Sequence, residues 1–161
     1  MIKEVTGDIL LSKAGAIAHG IAPHDDFKQG LALALREQWP SMYKDFRHYC
    51  QTYNPKPGSL WSWKGAGSAV LINLFTQEPP DGKQGRPGKA TIPYVHHALQ
   101  ALKNEVRDQG VKSLALPRLA TGVGGLTWEE VKPLIEAALT DLGIPVYVYA
   151  TYKKGVAAQE G

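Results

Sequence analysis

The stretch Pro117-Arg118-Leu119-Ala120-Thr121-Gly122-Val123-Gly124-Gly125 carries the residue types that point most directly to chemistry. It follows a short apolar run at 113–116 and leads into a helical pattern that begins at Trp128. Glycines at 122, 124 and 125 remove side chains where backbone amides would approach phosphate oxygens, and a helix N-terminus adds favourable potential for an anion. A tight strand-to-helix turn without any ligand uses the same glycines, so the loop alone leaves both readings open. The Lys-Ser/Thr ending of an ATPase phosphate loop and the spacing of a dinucleotide fingerprint are both missing, which argues against those classes.

Other chemically able residues are weighed the same way. Asp8 follows Gly7 and reads either as a turn former or as an acceptor at a strand end. His19 reads as a satisfied hydrogen bond inside a sheet ahead of a catalyst. Asp25 and Asp26 precede a helical pattern, where negative charge is favoured at the N-terminus in any case. His96 and His97 have no acidic or cysteine partner at metal-ligand spacing, so no metal is expected. Trp61 and Trp63 fall on one face of a strand and read as packing, and the serines lack a nucleophile-elbow context.

The elements that must position these groups follow from hydrophobic period and turn residues. Apolar runs at 2–5, 9–11 and 14–19 read as strands and a turn. Residues 30–49 carry Leu31, Leu33, Leu35, Trp39, Tyr43 and Phe46 at mostly helical spacing, broken at Pro40 into a helix and a second short one. Runs at 60–64 and 69–75 flank a small-residue turn and predict a hairpin or neighbouring strands, and 78–89 predicts a mobile Pro/Gly loop. An amphipathic helix is expected over 91–109, a strand over 113–116 and a helix from Trp128 to Leu142-Gly143, capped by Thr127 with Glu130 at capping-box spacing. A last strand at 145–150 precedes a frayed tail at 153–161. Alternating strands and helices without a repeat predict a three-layer α/β/α sandwich. Ligands then bind beyond the carboxyl ends of the strands, which selects the loops at Gly7-Asp8, at 19–30 and at 119–126.

Composition bounds what such a fold can serve. A chain of 161 residues, 43% hydrophobic and 20% charged, is the size and make-up of one globular domain, expected as residues 1–152 with the tail beyond. The net charge of +3 comes from scattered Lys and Arg, which suits an anionic ligand but is weak ground for a nucleic-acid surface. One cysteine, Cys50, cannot close an intramolecular bridge, and no apolar run approaches the ~20 residues that span a bilayer. A cytoplasmic monomer without membrane contact or cofactor is the expectation.

Taken in order, Gly7-Asp8-Ile9, Ala18-His19-Gly20-Ile21-Ala22 leading to Gly30-Leu31-Ala32, Ile72-Asn73-Leu74-Phe75-Thr76, and Leu116-Pro117-Arg118-Leu119 with Gly122 to Trp128 resemble the macrodomains over residues 2–151. The pattern is most similar to the subgroup that holds the terminal ADP-ribose protein glycohydrolase and the antitoxin that removes ADP-ribose from DNA. The Leu-Phe-Thr run also resembles the ADP-ribose 1''-phosphate phosphatases of yeast type. The resemblance implies a mixed central sheet and a site for ADP-ribose, free or attached to protein, DNA or RNA. It implies that Asp8 accepts from the adenine amino group beside the Ile9 amide, with Tyr152 stacking on the base. Thr121 to Val123, facing Gly30, Leu31 and Ala32, would clamp the diphosphate and distal ribose, with His19, Thr76, Pro117, Ala120 and Gly124 around them.

Two family side chains are replaced. The subgroup's lysine after the strand-end threonine aligns with Gln77, and its loop acid with Gly124. Hydrolysis would then fall to His24-Asp25-Asp26, where a carboxylate could activate water, or to Lys83 or Lys89 reaching in from the Pro/Gly loop. Without it, the chain would be a non-catalytic reader of ADP-ribose marks.

Overall fold

The computed structural model describes residues 1–80 and 88–161. Its strands are β1 (Ile2–Gly7), β2 (Ala16–Ile21), β3 (Leu60–Lys64), β4 (Val70–Phe75), β5 (Leu114–Pro117) and β6 (Val146–Tyr152). They form one six-stranded sheet in the order β1-β6-β5-β2-β4-β3. All neighbours are parallel except β3, which runs antiparallel to β4 at the edge, so the sheet is mixed. The run Val-Leu-Ile-Asn-Leu-Phe of β4 is buried throughout, as a strand covered on both faces requires.

The helices α1 (Gly30–Gln38), α2 (Pro40–Tyr53), α3 (Ile92–Asp108) and α4 (Trp128–Leu139) divide between the two faces. Alternate residues of the strands meet alternate layers. Ala16, Ala18, Ile72, Leu74, Leu114 and Leu116 pack with Leu99 and Leu102 of α3 and Val131 and Ile135 of α4. Ile17, Ile21, Leu71, Phe75 and Ala115 pack with Leu35 of α1 and Met42 and Phe46 of α2 on the other side. The expected break at Pro40 separates α1 from α2, with Pro40 in the first turn of α2, where its missing N–H is harmless. The second helix is longer than expected. Thr127 and Glu130 form the capping box at the start of α4, a device worth about 1 kcal/mol.

Two segments take a definite form that the sequence left open. The run at 9–11 is a 3-10 turn, Ile9–Leu11, because the Asp8 side chain accepts the Leu10 amide and closes a cap in place of a strand ladder. Residues 153–161 are also tied down, by hydrogen bonds from the Gly155 amide to Asp8 and from Ser12 and Lys13 to Glu160. Polar tail residues find partners along the start of the chain, which sequence periodicity does not register.

This topology makes a crevice at one place. β2 feeds α1 on one face of the sheet, whereas the neighbouring β5 feeds α4 on the other, so the two loops part at the carboxyl end of the sheet. Parting loops at such a switch point form the usual ligand cleft of open α/β sheets.

Candidate functional site

A cleft of about 320 Å³ lies at that point, between the loop after β5 and the N-terminus of α1. Of the residues singled out in the sequence, His19, Asp25, Asp26, Gly30, Leu31 and Ala32 line it from the β2 side, and Gln77 from β4. Pro117, Ala120, Gly122, Val123 and Gly124 line it from the β5 side. Asp8, Ile9, His24, Thr76, Thr121 and Tyr152 do not line it.

The β5 loop is held in a shape that leaves its amides free. The Leu126 amide donates to the Ala120 carbonyl at 3.1 Å, Gly125 to Gly122 at 3.1 Å, and Ala90 to Gly124 at 3.0 Å. Thr121 Oγ1 donates to the Arg118 carbonyl at 2.9 Å, so its side chain braces the loop. Among the described residues, the amides of Ala120, Thr121, Gly122, Val123 and Gly124 donate to no acceptor. A run of such amides in a turn with Ala120 at φ 61° is a geometry able to hold an anion.

Opposite, α1 begins without a side-chain cap. Its N-cap residue is Gln29, whose side chain makes no capping bond, so the first-turn amides at Gly30, Leu31 and Ala32 meet the cleft with the positive end of the helix dipole. Asp25 and Asp26 are therefore not the caps of this helix. Lys28 and Arg118 add cations to the rim. Sequence reading left them among scattered charges, although each sits beside a singled-out motif.

The acids differ sharply. Asp25 is buried, and its Oδ1 accepts the Phe27 amide at 2.7 Å. Burial raises its pKa, with a smaller push from the Asp26 charge, against the lowering effect of the Phe27 amide. Asp26 is more exposed and faces Lys28 Nζ at 3.8 Å. His24 turns away: its Nε2 pairs with Asn54 Oδ1 at 2.8 Å, and it lines a neighbouring hollow with Tyr43, Arg47 and Cys50. The expected His24 role at the ligand is corrected accordingly. Cys50 is buried, and burial pushes its thiol up, away from reactivity.

His19 is the satisfied sheet histidine expected from the sequence, and it also forms part of the cleft wall. Its Nε2 pairs with Asn73 Oδ1 at 2.6 Å, and Asn73 Nδ2 donates to the Trp61 carbonyl at 3.3 Å. That chain of donors makes Nε2 the protonated nitrogen. Burial pulls the pKa down to about 4, against the raising effect of the Asn73 bond, so the ring is neutral at pH 7. Thr76 Oγ1 is buried with no partner among the described residues, and lies against Gly20 in the cleft floor.

Gln77 donates Nε2 to the Gly88 carbonyl at 3.0 Å. It thereby anchors the segment around 88–90. Lys89 is exposed and does not line the cleft, and Lys83 lies outside the described residues. His96 and His97 are exposed, and no group of metal-binding side chains occurs among the described residues.

The family model that describes the Macro domain matches residues 24–135, most of the chain and both walls of the cleft. This protein belongs to the macrodomain family. Over 149 residues it is 36% identical to human "ADP-ribose glycohydrolase OARD1", covering 91% of this chain and 90% of that one. Over 150 residues it is 29% identical to a Thermus aquaticus protein named DNA ADP-ribosyl glycohydrolase, covering 92% of this chain and 41% of the relative. The chain spans less than half the length of the curated DNA ADP-ribosyl glycohydrolases it matches. In three dimensions it is similar to the solved macrodomain of Thermus aquaticus DarG, with a TM-score of 0.82, 27% identity, and coverage of 93% of this chain and 98% of that one. Among the described residues, no helix is long and apolar enough to cross a membrane.

Proposed function

We propose that this macrodomain binds ADP-ribose across the cleft and hydrolyses its bond to a modified macromolecule, protein or nucleic acid, or its terminal phosphate ester. The observation that carries the reading is the run of free amides from Ala120 to Gly124 facing the uncapped start of α1. Two amide clusters on opposite walls, with Lys28 and Arg118 at the rim, suit a diphosphate better than a single phosphate. The distal ribose then lies toward Asp25, and the adenosine toward Asp8, Ile9 and Tyr152. The names of the relatives, which include ADP-ribosyl glycohydrolases and ADP-ribose 1''-phosphate phosphatases, support this substrate class.

Asp25 is the group we assign to water. Its carboxyl is held by one amide, is kept from bulk solvent, and has its pKa raised toward the range useful to a general base. Diphosphate charge nearby raises it further. A deprotonated Asp25 takes a proton from water as the water oxygen bonds to the anomeric carbon or the phosphorus. The bond from that atom to the modified group, or the phosphate ester P–O bond, breaks, and the leaving group departs with its bonding pair and takes up the proton held by Asp25. Asp26, neutralised by Lys28, has the weaker claim.

A reader of ADP-ribose marks is the second reading, favoured by Gln77, a neutral amide already bonded to Gly88. Incubation with ADP-ribosylated DNA, ADP-ribosylated protein and ADP-ribose 1''-phosphate, with products resolved by chromatography, separates the two. Released ADP-ribose supports the hydrolase, and no product from any of the three leaves the reader. A buried lone thiol fits a reducing compartment, and we take the protein to work as a cytoplasmic monomer.

A further inference from the structure

Asp8 does not line the cleft, and it is covered by the segment 153–161. Asp8 is 6% exposed, and both of its oxygens are engaged: Oδ1 accepts the Leu10 amide at 3.0 Å and Oδ2 the Gly155 amide at 2.9 Å. The Asp8 amide donates to the Val156 carbonyl at 2.7 Å, and the Lys153 amide to the Gly7 carbonyl at 3.0 Å. Gly7 lets the crossing come close, since a Cβ there would stand 2.8 Å from the Ala158 nitrogen and from the Val156 carbonyl oxygen. The far end is latched by Glu160, which accepts from Ser12 Oγ at 2.6 Å, from the Lys13 amide at 3.0 Å and from the Tyr149 hydroxyl.

We propose that residues 153–161 act as an internal competitor for the adenine end of the site. The Gly155 N–H stands where the amino group of a base would donate to Asp8, so an adenine-bearing ligand must lift the segment, whereas a shorter sugar phosphate leaves it in place. This rests on the reading that Asp8 receives adenine. When only the open fraction of a protein binds, the observed Kd is the intrinsic Kd divided by that fraction, so the latch weakens ADP-ribose and spares ligands that lack the base. Glu160 is thus a residue that sets affinity without touching the ligand. Discrimination between ADP-ribose and ribose 5-phosphate is smaller than the site could deliver with the latch undone.

The experiment uses the full chain as wild type, Glu160→Ala and Tyr149→Phe, the second keeping the ring in the core while removing its bond to the latch. Calorimetry with ADP-ribose should give binding tighter by about tenfold in the variants, and with ribose 5-phosphate no change. Hydrogen exchange on wild type, which needs no variant to fold, should show the Gly155 amide exchanging faster once ADP-ribose is bound, and unaltered with ribose 5-phosphate. If ADP-ribose binds all three proteins equally and the Gly155 amide stays protected, the segment is a fixed wall and the competitor proposal is overturned while the proposed function stands. If ADP-ribose binds none of the three, the proposed function fails first, and the competitor with it.

Discussion

The carbonyl oxygen of Ala120 lies 2.6 Å from the place a Cβ on Gly124 would occupy, so position 124 admits no side chain in this loop. Gly122, two residues earlier, has open space in the same direction. Gly124→Ala should therefore destabilise the fold by about 1–3 kcal/mol through overpacking against backbone, whereas Gly122→Ala should change stability by less than about 0.5 kcal/mol. Urea unfolding of the two variants checks this, and equal losses would mean that the loop shape does not depend on that contact. For the same reason Gly124→Asp should disrupt the loop before it could supply a carboxylate.

Asp25 and Asp26 are neighbours with different surroundings, and the difference fixes which one should matter. Asp25→Asn, which preserves an oxygen for the Phe27 amide, should cut turnover by about 10² or more with ADP-ribose affinity held within a few-fold. Asp26→Asn should have the smaller effect, since its carboxylate already faces Lys28 near solvent. The pattern is read from kcat and KM of both variants. Full activity in Asp25→Asn would move water activation to the ligand's own oxygens.

Much of this arrangement was legible in the chain. Thr127 and Glu130 announced the start of α4 because a capping box is local chemistry, and Pro40 marked the boundary between α1 and α2 for the same reason. The glycine spacing at 122–125 marked the loop that lines the β5 side of the cleft. Less legible were features decided by distant partners. Asp8 looked like an open acceptor, yet residues some 147 positions away cover it. His24 looked equivalent to Asp25 until Asn54 drew it to the other side of the loop. Gln77 stood out as a missing lysine, but its bond to Gly88 appears only once the chain is folded.

His19 makes stability depend on pH with a definite sign. Its folded pKa of about 4 lies below the ordinary histidine value of 6.5, so the unfolded chain binds the extra proton between those values. Stability is full above about pH 6.5 and falls as the pH drops toward 4, by about 2–3 kcal/mol at pH 4.5. Asp25 works in the opposite sense, because its raised pKa lets protonation favour the folded state as pH falls. Comparing urea unfolding at pH 7.5 and 4.5 in wild type and His19→Gln isolates the histidine. The variant should lose less stability than wild type, and identical losses would mean that His19 is already charged or exposed.

Thr76 carries a buried hydroxyl with no partner among the described residues. Replacing it with the similarly shaped valine removes an unsatisfied group, so Thr76→Val should be neutral or stabilising by up to about 1 kcal/mol. Thermal unfolding of the free protein is the check. A loss above about 1 kcal/mol would show that the hydroxyl is bonded in solution.

The most direct test is calorimetric titration of ADP-ribose into wild type and Gly122→Glu, whose carboxylate would enter the open space beside the free amides. Wild type should bind with a Kd on the order of 1 μM, about −8 kcal/mol, and Gly122→Glu should show no binding while melting within about 2 °C of wild type. Equal affinity in the two proteins, or no heat of binding in wild type, would contradict a diphosphate site between this loop and α1.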